Sequence, residues 1–238
     1  MNNFLQAAII ILVIMLVIWI IFKIFGGGRN QLTSIENGNK EQVIKSSQLE
    51  KDNHTSNFCY STWFYVQDWS YRFGQPKIVL QRGDDQNPCP KIVLGESQNN
   101  IIISVACYGS SAADSNSTGN TIVHKCELSN FPLQKWVNLI IGLNGQTLDV
   151  YIDGKLTRTC VLPGPAIKAE GDVYVTPGGG FNGYTANFQY WSQPVNPQQA
   201  YNIYKSGYGS SGLANMFGNY GVRVQFLENG QVDWDFTI

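Results

Sequence analysis

The chain has 238 residues, 43% of them hydrophobic, 13% aromatic and 14% charged, with a net charge of −1. This balance, with no Lys/Arg stripe, excludes a nucleic-acid partner held by phosphate attraction. Five cysteines without a C-x-x-C pair and only two histidines, His54 and His124, exclude the common zinc modules.

The first element is apolar. From Ala7 to Phe22 there is no polar side chain, and Phe4, Leu5, Ile24 and Phe25 extend the segment. About 20 apolar residues at 1.5 Å rise cross a hydrocarbon core of ~30 Å. Residues 1–25 are therefore expected to form a single transmembrane anchor, with Phe4, Leu5, Trp19, Phe22 and Phe25 among its anchoring side chains. The competing reading is a secretory signal peptide. Such a peptide needs a basic start, a shorter apolar run and a small-residue cleavage site. Met1-Asn2-Asn3 is not basic, and Gly26-Gly27-Gly28-Arg29 follows the run without an A-x-A pattern. Lys23 and Arg29, then Lys40, Lys45 and Lys51, lie on the C-terminal side. Positive flanks stay cytoplasmic, so the rest of the chain is expected on the cytosolic face of a bilayer.

Residues 26–56 read as a polar linker of amide, hydroxyl and charged side chains without a hydrophobic face. A flexible segment of ~31 residues spans about 30 Å root-mean-square. It is either a passive tether or a segment that orders against a partner.

Strands dominate from Phe58 onward. FCYSTWFYVQDW is β-branched and aromatic throughout, and KIVLQRG and KIVLGE are short apolar strands. IIISVACY places Ile101, Ile103 and Val105 on one face. WVNLIIGLNGQTLDVYIDGKLTRTCVL reads as two successive hairpins, with Asn144-Gly145 and Asp153-Gly154 at their turns. Leu148, Val150 and Ile152 alternate with Thr147, Asp149 and Tyr151, which predicts one buried face. GYTANFQYW is a further strand. One helix follows: Asn196 is its N-cap, Pro197 its first residue, Gln199 is placed for a reciprocal bond to the cap, and Gly207 ends it. Val195 can staple onto Ala200. Beyond Gly207 come a glycine-rich connector and a hairpin with Asn229-Gly230 at its turn, so residues 208–238 form a tail. Its rings, Phe226, Trp234 and Phe236, are candidate partner contacts, because an isolated hairpin is marginal in water.

Cys59, Cys89, Cys107, Cys126 and Cys160 suggest a disulfide framework with one thiol left over. Cys107 and Cys126 end two strands that flank a loop without core-forming residues. A Cys107–Cys126 bridge closing that loop is expected. The alternative is a set of buried free thiols, which a reducing cytosol favours.

Three pieces resemble the concanavalin A-like lectin/glucanase superfamily, in its laminin G-like branch. They are the strand CYSTWFYV, then Trp136-Val137 followed by LDVYIDGKL, then GGGFNGYTANFQYWSQPVNPQQAYNIYKSG. The resemblance covers residues 57–207. It implies an all-β, two-sheet antiparallel jelly-roll sandwich with one short helix, preceded here by the transmembrane helix. On a single N-terminal anchor and with a C-terminal β tail, the architecture also resembles membrane-associated virion proteins of large nucleocytoplasmic DNA viruses.

The family's glucanases carry E-x-D-x-x-E on one strand, since sugar hydrolysis needs two carboxylates on one face. This chain has no such triplet. Asp233-Trp234-Asp235 lies in the tail, outside the fold. No enzyme is expected. The family's sugar sites use loop carboxylates, amides, sometimes calcium, and an aromatic platform. On that model Trp69, Tyr71, Asp84 and Asp85, with Asn87 and Asp114, are candidate sugar contacts, and calcium is the one cofactor admitted. Asp153 is read as a turn residue.

The expectation is a non-enzymatic, membrane-anchored structural or interaction protein. It is a minor virion component tying an internal or host-derived membrane to a capsid shell, with the bilayer and other protein subunits as partners. Viruses of that kind commonly supply their own thiol oxidase, which reconciles a disulfide with a cytosolic face. The rival expectation is a membrane-anchored lectin with a carbohydrate partner at a cell or virion surface. The sequons at Asn53 and Asn116 would then be glycosylated in a lumenal domain. N-terminal sequencing of the mature protein checks the anchor: the chain should retain residues 4–25, and a start near Gly28 would refute it.

Overall fold

Strands whose alternate side chains are apolar must bury one face, and two such sheets satisfy each other by stacking. The computed structural model describes residues 32–51, 55–109 and 121–209, with the backbone of strands 223–228 and 231–237. One six-stranded sheet runs in the order β1 (Glu36–Asn37), β12 (Asn182–Trp191), β3 (Phe58–Asp68), β8 (Trp136–Asn144), β9 (Thr147–Ile152), β10 (Lys155–Val161). The other runs β2 (Gln42–Ile44), β11 (Val173–Val175), β4 (Lys77–Arg82), β5 (Lys91–Leu94), β6 (Asn100–Tyr108), β7 (Thr121–Ser129). We call them sheets A and B. Every pairing within them is antiparallel. The expected two-sheet antiparallel sandwich is therefore observed.

The core lies between the sheets. Tyr60, Phe64 and Val66 of β3, Ile101, Ile103 and Val105 of β6, Val137, Leu139 and Ile141 of β8, and Leu148 and Val150 of β9 meet there. Each such side chain, fully buried, contributes about 1.5–3 kcal/mol. Polar groups also tie the two sheets together. Arg82 is buried and donates from Nη1 to the Tyr60 hydroxyl at 3.0 Å and from Nε to the Gly171 carbonyl at 3.2 Å. Its guanidinium also lies 5.6 Å from the Tyr190 ring centroid.

Several expectations are corrected. Residues 36–49 are not a linker. β1 pairs with β12, β2 pairs with β11, and Ile44 and Leu49 are in the core. Lys45 Nζ pairs with Asp172 at 2.9 Å, and Glu50 accepts from the Ser192 amide at 2.8 Å. Strands of two and three residues are too short to show a period, which is why the sequence hides them. The short β11 is hidden for the same reason.

The first hairpin turn is also displaced by one residue. Asn144 pairs with Thr147, so Gly145 and Gln146 are its central residues. Only Gly145 has positive φ, 61°, as a type II′ turn requires. Both registers keep Leu143 and Leu148 on the core face, so apolar alternation cannot tell them apart. The second turn is as expected: Ile152 pairs with Lys155, and Asp153 (φ 49°) and Gly154 (φ 72°) both take positive φ.

The disulfide pairing is corrected too. Cys126 is bridged to Cys160, with Cα atoms 6.0 Å apart. Cys107 stands opposite Ile122, and Cys126 opposite Ile103, on neighbouring strands of one sheet. Four residues of offset along a strand are about 13 Å, beyond the reach of a disulfide. The bridge instead joins β7 and β10, the strands that end sheets B and A on one side of the sandwich. Cys59, Cys89 and Cys107 are buried free thiols.

The tail hairpin is observed as backbone. β13 (Arg223–Glu228) pairs antiparallel with β14 (Gln231–Thr237), with Phe226 opposite Trp234 and Val224 opposite Phe236. It belongs to a compact unit separate from that of residues 30–208. The side chains of Phe226, Trp234 and Phe236, the anchor residues Phe4, Leu5, Trp19, Phe22 and Phe25, and Asp114 lie outside the described residues. Among the described residues no helix is long and apolar enough to cross a membrane.

The bridge closes a 34-residue separation. In the chain-entropy model that is worth about 3–4 kcal/mol. The double variant Cys126→Ser, Cys160→Ser should lose about that much in denaturant unfolding. Non-reducing peptide mapping should recover the 126–160 pair, with Cys107 labelled only after unfolding. A crosslinked Cys107 would refute the pairing.

Candidate functional site

The helix α1 (Pro197–Lys205) starts where the sequence says it should. The Asn196 side chain accepts from the Gln199 amide at 2.8 Å, and the Gln199 side chain accepts from the Asn196 amide at 2.9 Å. Pro197 supplies a preset φ at the first position. Val195 packs against the cluster that contains Ala200, as the staple predicts.

That cluster is Cys59, Ile140, Tyr151 and Ala200, with Trp191, Val195 and Ile203 against it. It lies on the face of sheet A turned away from the core. β9 was expected to bury one face, but Tyr151 is only 1% exposed on the second. Burial pushes the Cys59 thiol up and raises Tyr151, with Asp149 and Cys59 adding to the tyrosine's shift.

α1 also rests on the β9–β10 turn. A Cβ added at Gly154 would lie 2.9 Å from Tyr204 Cβ and 3.1 Å from Tyr201 Cα. Glycine therefore serves twice here, for the positive φ and for the close approach. The contact holds Tyr201 and Tyr204 beside the hairpin, their ring centroids 6.3 Å apart.

Between helix, hairpin and the loop after β7 is an open cleft of about 510 Å³. Tyr201 and Tyr204 form one wall. Asp153, Lys155 and Thr157 form the second, and Ser129, Asn130 and Phe131 the third. Tyr201 is 43% exposed. Asp153 is held in place: Lys135 Nζ is 3.2 Å from Oδ2, and Oδ1 accepts from the Asn138 amide at 2.9 Å. The Thr157 hydroxyl donates to the Lys155 carbonyl at 3.1 Å. Lys205 Nζ lies 5.8 Å from the Tyr201 ring centroid.

The cleft is one end of a chain of rings. Tyr204 stacks on Trp63 at 5.6 Å, Trp63 meets Tyr208 at 5.5 Å, and Tyr208 stacks on Trp136 at 4.5 Å. Trp136 then contacts Tyr65 at 5.9 Å, and Tyr65 contacts Tyr184 at 6.4 Å. The last three are register partners on β8, β3 and β12, so strand pairing itself lines them up.

The sequence-derived sugar contacts do not assemble. Trp69 packs against Phe131 at 6.0 Å and under Lys77 Nζ at 4.7 Å. The Tyr71 hydroxyl donates to the Gly179 carbonyl at 3.2 Å. Asp84 accepts from the amides of Gln86 and Asn87, and Asp85 pairs with Lys91 at 2.7 Å. Trp69 and Tyr71 precede β4, whereas Asp84 and Asp85 follow it. A six-residue strand puts about 20 Å between the two groups. Among the described residues, no three His, Cys, Asp or Glu side chains gather as calcium or another metal would need. What the sequence reading missed is the cleft's own set, Tyr201, Lys155, Thr157 and Asn130. Asp153, read as a turn residue, is one, and it also lines the cleft.

A family model described as the concanavalin A-like lectin/glucanases superfamily matches residues 37–200. The chain belongs to this superfamily. The match starts inside β1 and ends inside α1, so the superfamily module includes the two short strands that read as linker. No curated protein sequence matches the chain. Solved structures share the fold at low identity. The receptor binding domain of botulinum neurotoxin D is 13% identical, with a TM-score of 0.51 over 74% of this chain and 44% of that one. That of the C/D mosaic serotype is 12% identical, with a TM-score of 0.51 over 74% and 43%. The binding domain of botulinum neurotoxin DC in complex with SialylT is 12% identical, with a TM-score of 0.50 over 73% and 46%. The chain thus spans less than half the length of each.

Gly154→Ala tests how the cleft is built. A left-handed alanine costs roughly 1–2 kcal/mol before any clash. The variant should melt lower and show altered Tyr201 and Tyr204 ring resonances by NMR. Unchanged ring signals would mean that α1 does not depend on this contact.

Proposed function

We propose that this superfamily member is a non-enzymatic, carbohydrate-binding module displayed at a membrane, with the α1–hairpin cleft as its binding site. The observation that carries the reading is the exposed Tyr201 ring beside fixed polar groups in a concave site on a lectin-like sandwich. Sugars offer an apolar C–H face and a rim of hydroxyls. An aromatic ring takes the first, and amides, hydroxyls and charged groups orient the second. Asn130, Ser129, Lys155 and Thr157 supply such groups around Tyr201. Among the described residues the cleft holds one carboxylate, Asp153, already bound to Lys135 and Asn138. Glycoside hydrolysis needs two, so the arrangement favours binding over cleavage. The complex of a structural relative with SialylT is in keeping with this reading.

A second reading makes the chain a structural component of a virus particle that ties a membrane to a protein shell. The uninterrupted apolar run from Ala7 to Phe22 and the aromatic residues of the tail favour it. Membrane display is common to both readings.

Glycan-array binding by the full-length chain separates them. At least one glycan class should bind, and Tyr201→Ala should weaken it about tenfold or more, the effect of losing one stacking aromatic. Binding to no glycan, or binding indifferent to Tyr201, would leave the structural reading in place.

A further inference from the structure

We infer that the cleft selects an anionic saccharide and that Lys155 is the residue that reads its charge; this rests on the carbohydrate reading above. Lys155 opens β10 directly after the Asp153-Gly154 turn, is exposed, and lines the cleft. The ion pairs among the described residues are Glu36–Lys40, Lys45–Asp172, Asp85–Lys91 and Lys135–Asp153, and Lys155 is in none of them. Asp153, the one carboxylate among the described residues that line the cleft, is already matched by Lys135 at 3.2 Å. The cleft's other lining residues are neutral. One positive charge is therefore left over, and Lys205 adds a second beside the Tyr201 ring.

The chain as a whole carries −1, so this local excess is not a by-product of a basic protein. A neutral sugar leaves the ammonium unanswered. A carboxylate or sulfate on the sugar answers it with a charge-assisted hydrogen bond, about twice as strong as a neutral one. The walls also fix an orientation. The helix carries Tyr201 and the hairpin carries Lys155, so a pyranose stacked on the tyrosine turns its anionic group toward β10.

Calorimetry on the full-length chain with 3′-sialyllactose, 3′-sulfolactose and lactose tests this. At least one anionic sugar should bind about tenfold tighter than lactose, and added salt should erode the advantage. Comparison of the two anionic arms tells carboxylate from sulfate recognition. Lys155→Ala should abolish the preference, so that the anionic sugars and lactose bind this variant equally, and should leave the melting temperature unchanged. Lys155→Arg should keep most of the preference. Equal affinity for lactose and both anionic sugars overturns the inference while leaving the carbohydrate reading intact. A preference that survives Lys155→Ala also overturns it. Failure of all three sugars, with no glycan bound on the array, overturns both.

Discussion

Sheet A carries buried apolar side chains on both faces, so it has to be covered twice. Sheet B covers the inner face, where Phe64, Leu139 and Val150 are buried. α1 covers the outer one by setting Ala200 against Cys59, Ile140 and Tyr151. The second cover decides the rest of the surface. Once Ala200 is fixed there, Tyr201 and Tyr204 must project along the β9–β10 hairpin. The loop after β7 then closes the third side. The cleft is thus a consequence of how the outer face of sheet A is buried.

The ties that hold the sheets in register across the core differ in kind. On one side the Cys126–Cys160 bridge joins the end strands, where a sandwich is most prone to open. Further along, Arg82 of sheet B reaches Tyr60 and the ring of Tyr190 in sheet A. The remaining thiols have a local reason to stay inert. Exchange requires a thiolate, and burial pushes Cys89 up to about 12 and raises Cys59 and Cys107 as well.

The proposed binding role draws on how firmly the cleft is built. Asp153 is bonded from both carboxylate oxygens, the turn has two positive-φ residues, and the helix is capped reciprocally. On the proposed reading, little ordering is left for a ligand to impose, which is how preorganised sites gain affinity. The superfamily fold does not by itself fix a ligand.

The sequence by itself determined the features that depend on near neighbours. Alternation located β6 and β9, β-branched and aromatic composition located β3, the hairpin pattern located β8, Asp153-Gly154 located a turn, and Asn196-Pro197 with Gln199 located the start of α1. Each is set by bonds or side-chain periods within a few residues, so each is legible without a fold. The tertiary structure alone decided what depends on distant neighbours. Cys126 takes Cys160 instead of Cys107 because the bridge runs between sheets and not along one. Residues 36–49 join both sheets because their pairing partners lie well over 100 residues away. Trp69 and Asp84 look like one site in sequence, but a six-residue strand stands between them. Tyr201 and Lys155 look unrelated, yet a glycine at 154 lets helix and hairpin meet. Local chemistry chooses the elements, and only packing chooses which side chains share a cavity.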